Sequence, residues 1–419
     1  MNSIISNDMT IAVQQLDIPT LRPWQEKPME AILAGKDIFA SAPTGGGKSM
    51  LYQAPAVMEE GHSTTIVVSP VRSLQLDQVT RLKCLGIKAE LLNSDLSKTE
   101  RQAILSDLSN ISLIYTTPEQ LEKPDLLEAL KNCRVARIAV DEAHVLPQAK
   151  SGFRKTYGRI DKFIARLPER PQVIACTATA TPGARKRILK ALGIPDAKVF
   201  CMPVRRNNLA IQIKKVEAGK SRSAHGNMMT SVERELKRWD KDGEEGGVIL
   251  YCATVRDVKR THKWLKGRGW HAKKYTGKTS KKKRTQIQQQ FLSGEVPIIV
   301  AANAFGLGID KSDVRLVIHA GLPLGMSGYV QEIGRAGRDG KKARCVLFYT
   351  AKDVNRNKNI LNRGKNRKAA RQAIKDLNAL AKLLKSGKCI WRGIERYFGE
   401  KPGHRCKKCC RCKAKAARK

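Results

Sequence analysis

Apolar and polar positions divide the chain into two series of short apolar runs, each followed by helix-compatible polar stretches. In the first series, Asp37-Ile38-Phe39-Ala40, residues 64–70, residues 111–118, Val135-Ala136-Arg137-Ile138-Ala139-Val140 and residues 173–181 read as strands, and residues 71–83 as a helix. Continuous rather than alternating apolar runs predict strands buried on both faces, and their alternation with helical stretches predicts a parallel sheet. The pattern pauses at Pro203-Val204-Arg205-Arg206-Asn207-Asn208. Residues 204–246 predict a linker, one short strand and an amphipathic helix. A second series begins at Val248-Ile249-Leu250-Tyr251-Cys252. It runs through a basic helix-like segment to strands at residues 296–302 and 314–319, and residues 369–384 again have helical character. The fold class expected is α/β.

The stretch Ala42-Pro43-Thr44-Gly45-Gly46-Gly47-Lys48-Ser49 lies between the first strand and helix-compatible Met50-Leu51-Tyr52-Gln53. That order suits a phosphate cradle. Glycines let the backbone point N–H groups at oxygens, and the helix start adds its positive dipole end. Lys48 would reach the β- and γ-phosphates of a nucleotide, and the Ser49 hydroxyl would hold Mg²⁺. Ala42 stands where the usual pattern has its first glycine, and an ordinary glycine turn is the plainer reading of the loop taken alone.

The acids shift that balance. Asp141-Glu142-Ala143-His144 follows an apolar strand directly, and open α/β sheets bind ligands at the carboxyl ends of their strands. Asp141 can share the Mg²⁺ of Ser49, and Glu142 can orient or deprotonate an attacking water. In Leu21-Arg22-Pro23-Trp24-Gln25, a glutamine amide could bond an adenine edge as donor and acceptor. On the residues alone, an exposed helix start with proline at its first position is the better reading.

In the second series, residues 303–310 form a glycine-containing loop. Further on, Gln331, Arg335 and Arg338 stand at i, i+4 and i+7, which on a helix share one face. Two guanidiniums on one face suit phosphate oxygens. ATP between the two series would close a cleft and its hydrolysis would open it, a hinge cycle able to drive motion along a strand.

Length and charge narrow the class. A chain of 419 residues is expected to form about two to four domains. Lys and Arg number 79 against 38 Asp and Glu, a net +41 that favours a polyanionic partner, nucleic acid before an anionic membrane. No apolar run approaches the ~18 residues of a membrane span, and the first residues carry no secretory pattern. An intracellular protein with reduced thiols is expected, in cytoplasm or nucleoid, or in the nucleus if eukaryotic. Of the eleven cysteines, five crowd between Cys389 and Cys412. The spacings of Cys406, Cys409 and Cys412 bring thiolates to one point, and Cys389 could complete a tetrahedral zinc site. Cys410 is left over and His404 is a rival ligand. Residues 401–419 hold nine Lys and Arg and no acid, and read as a phosphate-binding arm.

From Leu21 to Cys412 the chain resembles the RecQ branch of superfamily-two DNA helicases. The resemblance rests on residues 21–25, the loop 42–49, Ser69-Pro70-Val71-Arg72-Ser73-Leu74, the acidic box 141–144, Thr177-Ala178-Thr179, Ala304-Phe305-Gly306-Leu307-Gly308-Ile309 and the 331–340 motif. Its most specific part combines that last motif with Cys389, Tyr397-Phe398-Gly399-Glu400 and the later cysteines. It implies two tandem RecA-like parallel-sheet domains, 1–203 (ATP-binding) and 204–350, followed by a small helical zinc-binding module with a basic tail, 351–419.

The resemblance further implies an ATP-dependent DNA helicase moving 3′ to 5′, serving repair, recombination or replication. ATP, Mg²⁺ and Zn²⁺ would be its cofactors, and single-stranded and tailed or branched duplex DNA its partner. No membrane partner is expected, and a monomer is. Cys389, Cys406, Cys409 and Cys412 become the zinc ligands, without Cys410. Arg22 and Gln25 become adenine contacts, and Arg335 and Arg338 γ-phosphate contacts, with Arg338 as the finger. His144, Gln148, Phe153, Arg154 and Tyr157 become DNA-coupling residues.

Two departures stand out. Ala149 and Ser151 replace the family's Trp and His in the aromatic loop, and a stacking platform is worth ~1–3 kcal/mol per base. The winged-helix and further helical domains of larger members are not read in this chain. A DNA-stimulated ATPase that translocates or anneals strands without robust unwinding is therefore the alternative.

Overall fold

The computed structural model of the chain describes residues 7–70, 72–146, 155–217, 223–243, 245–302, 305, 311–364 and 366–417. It forms two compact units, Met1–Met202 and Pro203–Lys419.

The first unit is built on seven strands: β1 (Ile38–Ser41), β2 (Thr64–Val68), β3 (Ala89–Leu92), β4 (Leu113–Thr116), β5 (Val135–Val140), β6 (Gln172–Thr177) and β7 (Lys198–Cys201). All pair in parallel, in the order β3-β4-β2-β5-β6-β1-β7. Side chains alternate between two cores. Phe39, Ile66, Val68, Ile138 and Val140 face one side, while Ile38, Ala40, Val67, Ala139 and Ile174 face the other. Helices cover both faces, so the central strands are apolar along most of their length on both sides. The helix Arg72–Cys84 lies where the spacing predicts it. Strands β3 and β7 escape the apolar reading because they are four-residue edge strands with polar or exposed positions.

The second unit carries β8 (Leu209–Lys215), β9 (Gly247–Cys252), β10 (Ala272–Tyr275), β11 (Ile298–Ala301), β12 (Val314–Ala320) and β13 (Ala343–Tyr349), parallel in the order β10-β11-β9-β12-β13-β8. The short strand expected near residue 210 is therefore an edge of this sheet. The amphipathic helix Ala224–Lys241 packs Met229, Val232 and Leu236 against its inner strands. The basic segment read as helix-like resolves into a helix Val255–Lys266, the edge strand β10 and a second helix Lys281–Leu292.

Behind the opposite face lie the helices Arg367–Lys385, Ile390–Tyr397 and Cys410–Ala416. Leu377, Leu380, Leu383, Trp391 and Ile394 join one core with Ile249, Val317 and Leu347 of the sheet and with Cys389, Cys406, Cys409 and Cys412. The cysteine region thus shares the second sheet's hydrophobic core. Asp376, the lone acid among residues 354–388, is used for this docking. Its carboxylate accepts from the Tyr397 hydroxyl at 2.5 Å and from the Ser327 N–H at 3.2 Å.

Because that core is shared, Leu380→Ala is expected to destabilise the second unit by ~2–5 kcal/mol. Urea unfolding followed by hydrogen exchange should show β12 and β13 losing protection together with Arg367–Lys385. Loss confined to that helix would contradict the shared core.

Candidate nucleotide and zinc sites

Three neighbouring strands deliver the first site. β5, β6 and β1 run parallel side by side, so Asp141, Thr177 and the loop after Ser41 emerge at one sheet edge. The loop stays tied to that edge, with the Ala42 N–H donating to the Thr177 carbonyl at 3.1 Å.

Gly45 and Gly47 have φ of +80° and +81°, where a side chain is strained. A Cβ on Gly46 would lie 2.8 Å from the Pro43 carbonyl oxygen, and one on Gly47 would lie 2.7 Å from Gln25 Nε2. Among the described residues, the N–H groups of Gly47, Lys48 and Ser49 donate to no backbone carbonyl. They are the donors a phosphate would meet. The Lys48 ammonium folds over the loop, donating to the Ala42 carbonyl at 2.9 Å and to that of Pro43 at 3.3 Å. Thr44 and Ser49 are half-buried on either side of the glycines.

The helix Pro23–Leu33 grips this loop from outside. Arg22 Nη1 donates to the Gly45 carbonyl at 2.7 Å, Trp24 Nε1 to Gly46 at 2.9 Å and Gln25 Nε2 to Gly47 at 2.7 Å. Gln25 Oε1 accepts from the Arg22 N–H at 2.6 Å. A primary amide has two donor hydrogens and two acceptor lone pairs. Each end of the Gln25 amide thus has one further hydrogen-bonding valence beyond those that hold the loop, although the residue is only 3% exposed. Trp24 was invisible as a site residue, since its indole bonds a residue 22 positions away.

Asp141 and Glu142 are buried, 6% and 9% exposed. Burial, and next the neighbouring Glu142 charge, push the Asp141 carboxyl up to about 6, and the Lys48 ammonium pulls against them. A desolvated carboxylate pair beside one lysine favours a divalent cation, which removes the like-charge penalty. Glu142 adopts φ +52°, in the left-handed region rare for side chains. His144 Nδ1 lies 3.1 Å from Glu142 Oε2 and 3.1 Å from Thr177 Oγ1, linking the acidic box to the hydroxyls after β6. Tyr157 is a core residue with no exposure. It does not present a ring for stacking. Gln148, Phe153 and Arg154, with Ala149 and Ser151, lie outside the described residues.

In the second unit, the helix predicted to carry Gln331, Arg335 and Arg338 on one face stops early. It spans Met326–Ile333, so Gln331 is helical, while Arg335 and Arg338 lie in the turns that follow. After Ile333 the Arg335 and Ala336 N–H groups bond carbonyls three residues back, and Gly337 then turns the chain away. Its φ is +54°, and a Cβ there would lie 2.6 Å from both Asn208 Nδ2 and the Lys341 carbonyl oxygen. Arg335 is only 5% exposed, and its Nε and Nη1 have no hydrogen-bond partner among the described residues. Those two orphaned donors fit an anion.

The segment read as a linker shapes this turn. Arg206 donates to the carbonyls of Gly334, at 2.9 Å, and Gly337, and Asn208 Nδ2 to those of Gly337 and Lys341, both at 2.8 Å. The same strap holds the cysteine loop. The Val204 N–H donates to Glu400 Oε1 at 2.7 Å, Arg205 to the His404 carbonyl at 2.8 Å, and Lys408 Nζ to the Asn207 carbonyl at 2.7 Å.

The Sγ atoms of Cys389, Cys406, Cys409 and Cys412 lie within 4.8 Å of one another, and all four residues are buried. A tetrahedral zinc with Zn–S of ~2.3 Å needs sulfurs ~3.8 Å apart, so the set fits. The Cys409 thiol is pushed down to about 4, first by its hydrogen bond with Cys406, whose own thiol is raised. His404 is exposed and outside the group, and Cys410 points its thiol toward the Ile213 carbonyl, 4.0 Å away.

Comparison with known proteins follows these features along the chain. Residues 22–188 match the DEAD/DEAH box helicase family, residues 207–340 the helicase conserved C-terminal domain, and residues 351–413 the RecQ zinc-binding domain. The chain is 35% identical over 372 residues to an ATP-dependent DNA helicase RecQ of Bacillus subtilis, covering 88% of this chain and 60% of that protein. It is 35% identical over 415 residues to an ATP-dependent DNA helicase Q5 of Rattus norvegicus, covering 94% of this chain and 42% of that protein. The crystal structure of the DUF1998 helicase MrfA bound to DNA superposes with a TM-score of 0.69 at 18% identity, over 84% of this chain and 52% of that one, a likeness of fold. The three matched regions fall in turn on the first sheet, the second sheet and the cysteine helices, which is the layout of superfamily-two helicases. Within that class the chain belongs to the RecQ family.

Cys409→Ser leaves three thiolates. Bound zinc, measured by atomic absorption, is expected to fall from about one per chain to a small fraction, with earlier thermal unfolding of the second unit. Full zinc content with unchanged unfolding would contradict the ligand set.

Proposed function

We propose that the chain is an ATP-dependent DNA helicase and translocase moving 3′ to 5′ on the strand it tracks, in DNA repair, recombination or replication. The observation that carries this reading is the convergence of a glycine loop, Lys48 and two buried acids at one edge of a parallel sheet. The names of its relatives point to DNA as the track, and a net charge of +41 suits a polyanion.

In this reading Thr44, Gly45, Gly46, Gly47 and Lys48 cradle the triphosphate, while Arg22 and Gln25 face the adenine. Ser49 and Asp141 would hold Mg²⁺, which would supply positive charge to offset that of the phosphates. Water attacks the γ-phosphorus as the bond to the β-phosphate oxygen breaks, and Glu142 orients that water and takes its proton. Gln331, Arg335 and Arg338 serve the γ-phosphate, with Arg338 as the finger. His144, between Glu142 and Thr177, passes the state of the site toward the 147–157 segment, where Gln148, Phe153 and Arg154 meet DNA and Tyr157 anchors the segment's end in the core. The zinc role is structural, since four thiolates leave no open position.

Ala149 and Ser151 favour one second reading, a DNA-stimulated ATPase whose unwinding is weak. One pair of assays separates the two. DNA-stimulated ATP hydrolysis accompanied by displacement of a 3′-tailed but not a 5′-tailed duplex supports the helicase; hydrolysis without displacement selects the ATPase. Lys48→Ala is expected to lower DNA-stimulated hydrolysis by about 100-fold or more, and turnover near the unaltered level would sink the assignment.

A further inference from the structure

The helix Val255–Lys266 and the strand β10 beside it carry none of the nucleotide-site or zinc-site residues. Lys259, Lys263 and Lys266 stand at i, i+4 and i+7, one face of that helix, with the outer two about 10 Å apart along its axis. β10, the free edge of the second sheet, adds Lys274. These four lysines line one open depression with His262 and Gly267, and no carboxylate and no Phe, Tyr or Trp ring lines it. All four lysines are exposed, and none is ion-paired among the described residues.

Nearby acids are committed elsewhere. Asp257 accepts from the Thr254 hydroxyl at 2.7 Å, and Glu233 pairs with Arg268 at 3.5 Å. The nearby indole of Trp264 is itself covered by the Arg268 guanidinium, 3.8 Å from its ring centre. His262 is pushed below its usual range, first by burial and then by Lys274, Lys266 and Lys273, as a locally positive field requires. Lysines on a sheet edge deter pairing with another chain. That accounts for Lys273 and Lys274, but not for three lysines aligned on a helix.

The chemistry then selects the partner. Lysine reads phosphate as a point charge without reading bases, and single strands are gripped by rings on which bases stack; the depression has no Phe, Tyr or Trp in its lining, and its one ring, the half-buried His262, is tied by Nε2 to the Ala272 carbonyl at 3.1 Å. Duplex DNA offers about one phosphate per 1.7 Å of axis, dense enough for every lysine here. We propose that this lysine face binds the sugar-phosphate backbone of double-stranded DNA without regard to sequence, an anchor separate from the nucleotide site. The proposal rests on the reading of DNA as the partner.

The test uses the full chain with Lys259→Gln, Lys263→Gln, Lys266→Gln and Lys274→Gln combined, and the same four positions changed to Arg. For a short blunt duplex, the glutamine variant is expected to lose at least about tenfold in affinity, and its log affinity–log salt slope to shrink by about 3–4. Single-strand-stimulated ATP hydrolysis should stay within about twofold, because these lysines face duplex phosphates rather than the tracked strand. The arginine variant should bind duplex like the unaltered protein. Unchanged duplex binding, an equal loss on single strands, or a loss that arginine does not restore would each overturn the proposal. An unaltered chain that neither binds DNA nor is stimulated by it would instead overturn the DNA reading itself, a failure visible before any variant is made.

Discussion

Parallel pairing of β5, β6 and β1 is the constraint on which the first unit's chemistry depends. Parallel neighbours end on the same edge, so a loop from β1, acids from β5 and hydroxyls from β6 meet without any strand changing direction. Burial does the rest. Asp141 and Glu142 sit side by side in a place that disfavours two negative charges, offset by Lys48. The site is therefore poised for cationic charge, and its glycine loop for phosphate. Arg22, Trp24 and Gln25 fix the loop's shape through its own carbonyls, while the N–H groups of Gly47, Lys48 and Ser49 donate to no backbone carbonyl among the described residues.

The second unit depends on a strap of five residues. Val204 to Asn208 bond the cysteine loop and the turn bearing Arg335 and Arg338. The cysteine helices share the sheet's core. Loss of zinc would then loosen more than its own ligands, because the strap's hydrogen bonds run to the same loop. The cysteine group and the arginine turn thus belong to one folding unit.

Much of this was legible in the sequence because the decisive features are contiguous. The loop 42–49 and the acids at 141–142 announce their chemistry within a few consecutive residues, and Cys406, Cys409 and Cys412 at spacings of three, with Cys389 the distant fourth. Strands buried on both faces were also plain, since their positions are mostly apolar, with only isolated exceptions such as Arg137 and His319. Short edges such as β3, β7 and β10 were not, because an edge strand can carry lysine or glutamate and still pair on one side. Helical spacing misled at Arg335 and Arg338, since the helix gives way after Ile333 to tighter turns, with the Arg335 and Ala336 N–H groups reaching back three residues and Gly337 leaving the turn with a positive φ. Trp24, Arg206 and Asn208 were missed for another reason. Their partners lie 22 to 133 positions away, and no local pattern encodes such bonds.

The central claim is that the acidic box turns over a nucleotide held by the glycine loop. Glu142→Gln keeps the shape of the side chain and removes its ability to take a proton. Equilibrium ATP binding and single-turnover hydrolysis, measured on the same preparation, separate holding from reaction. The account predicts ATP affinity within a few-fold of the unaltered chain and hydrolysis slowed by ~10²–10⁴. Hydrolysis at the unaltered rate would contradict it.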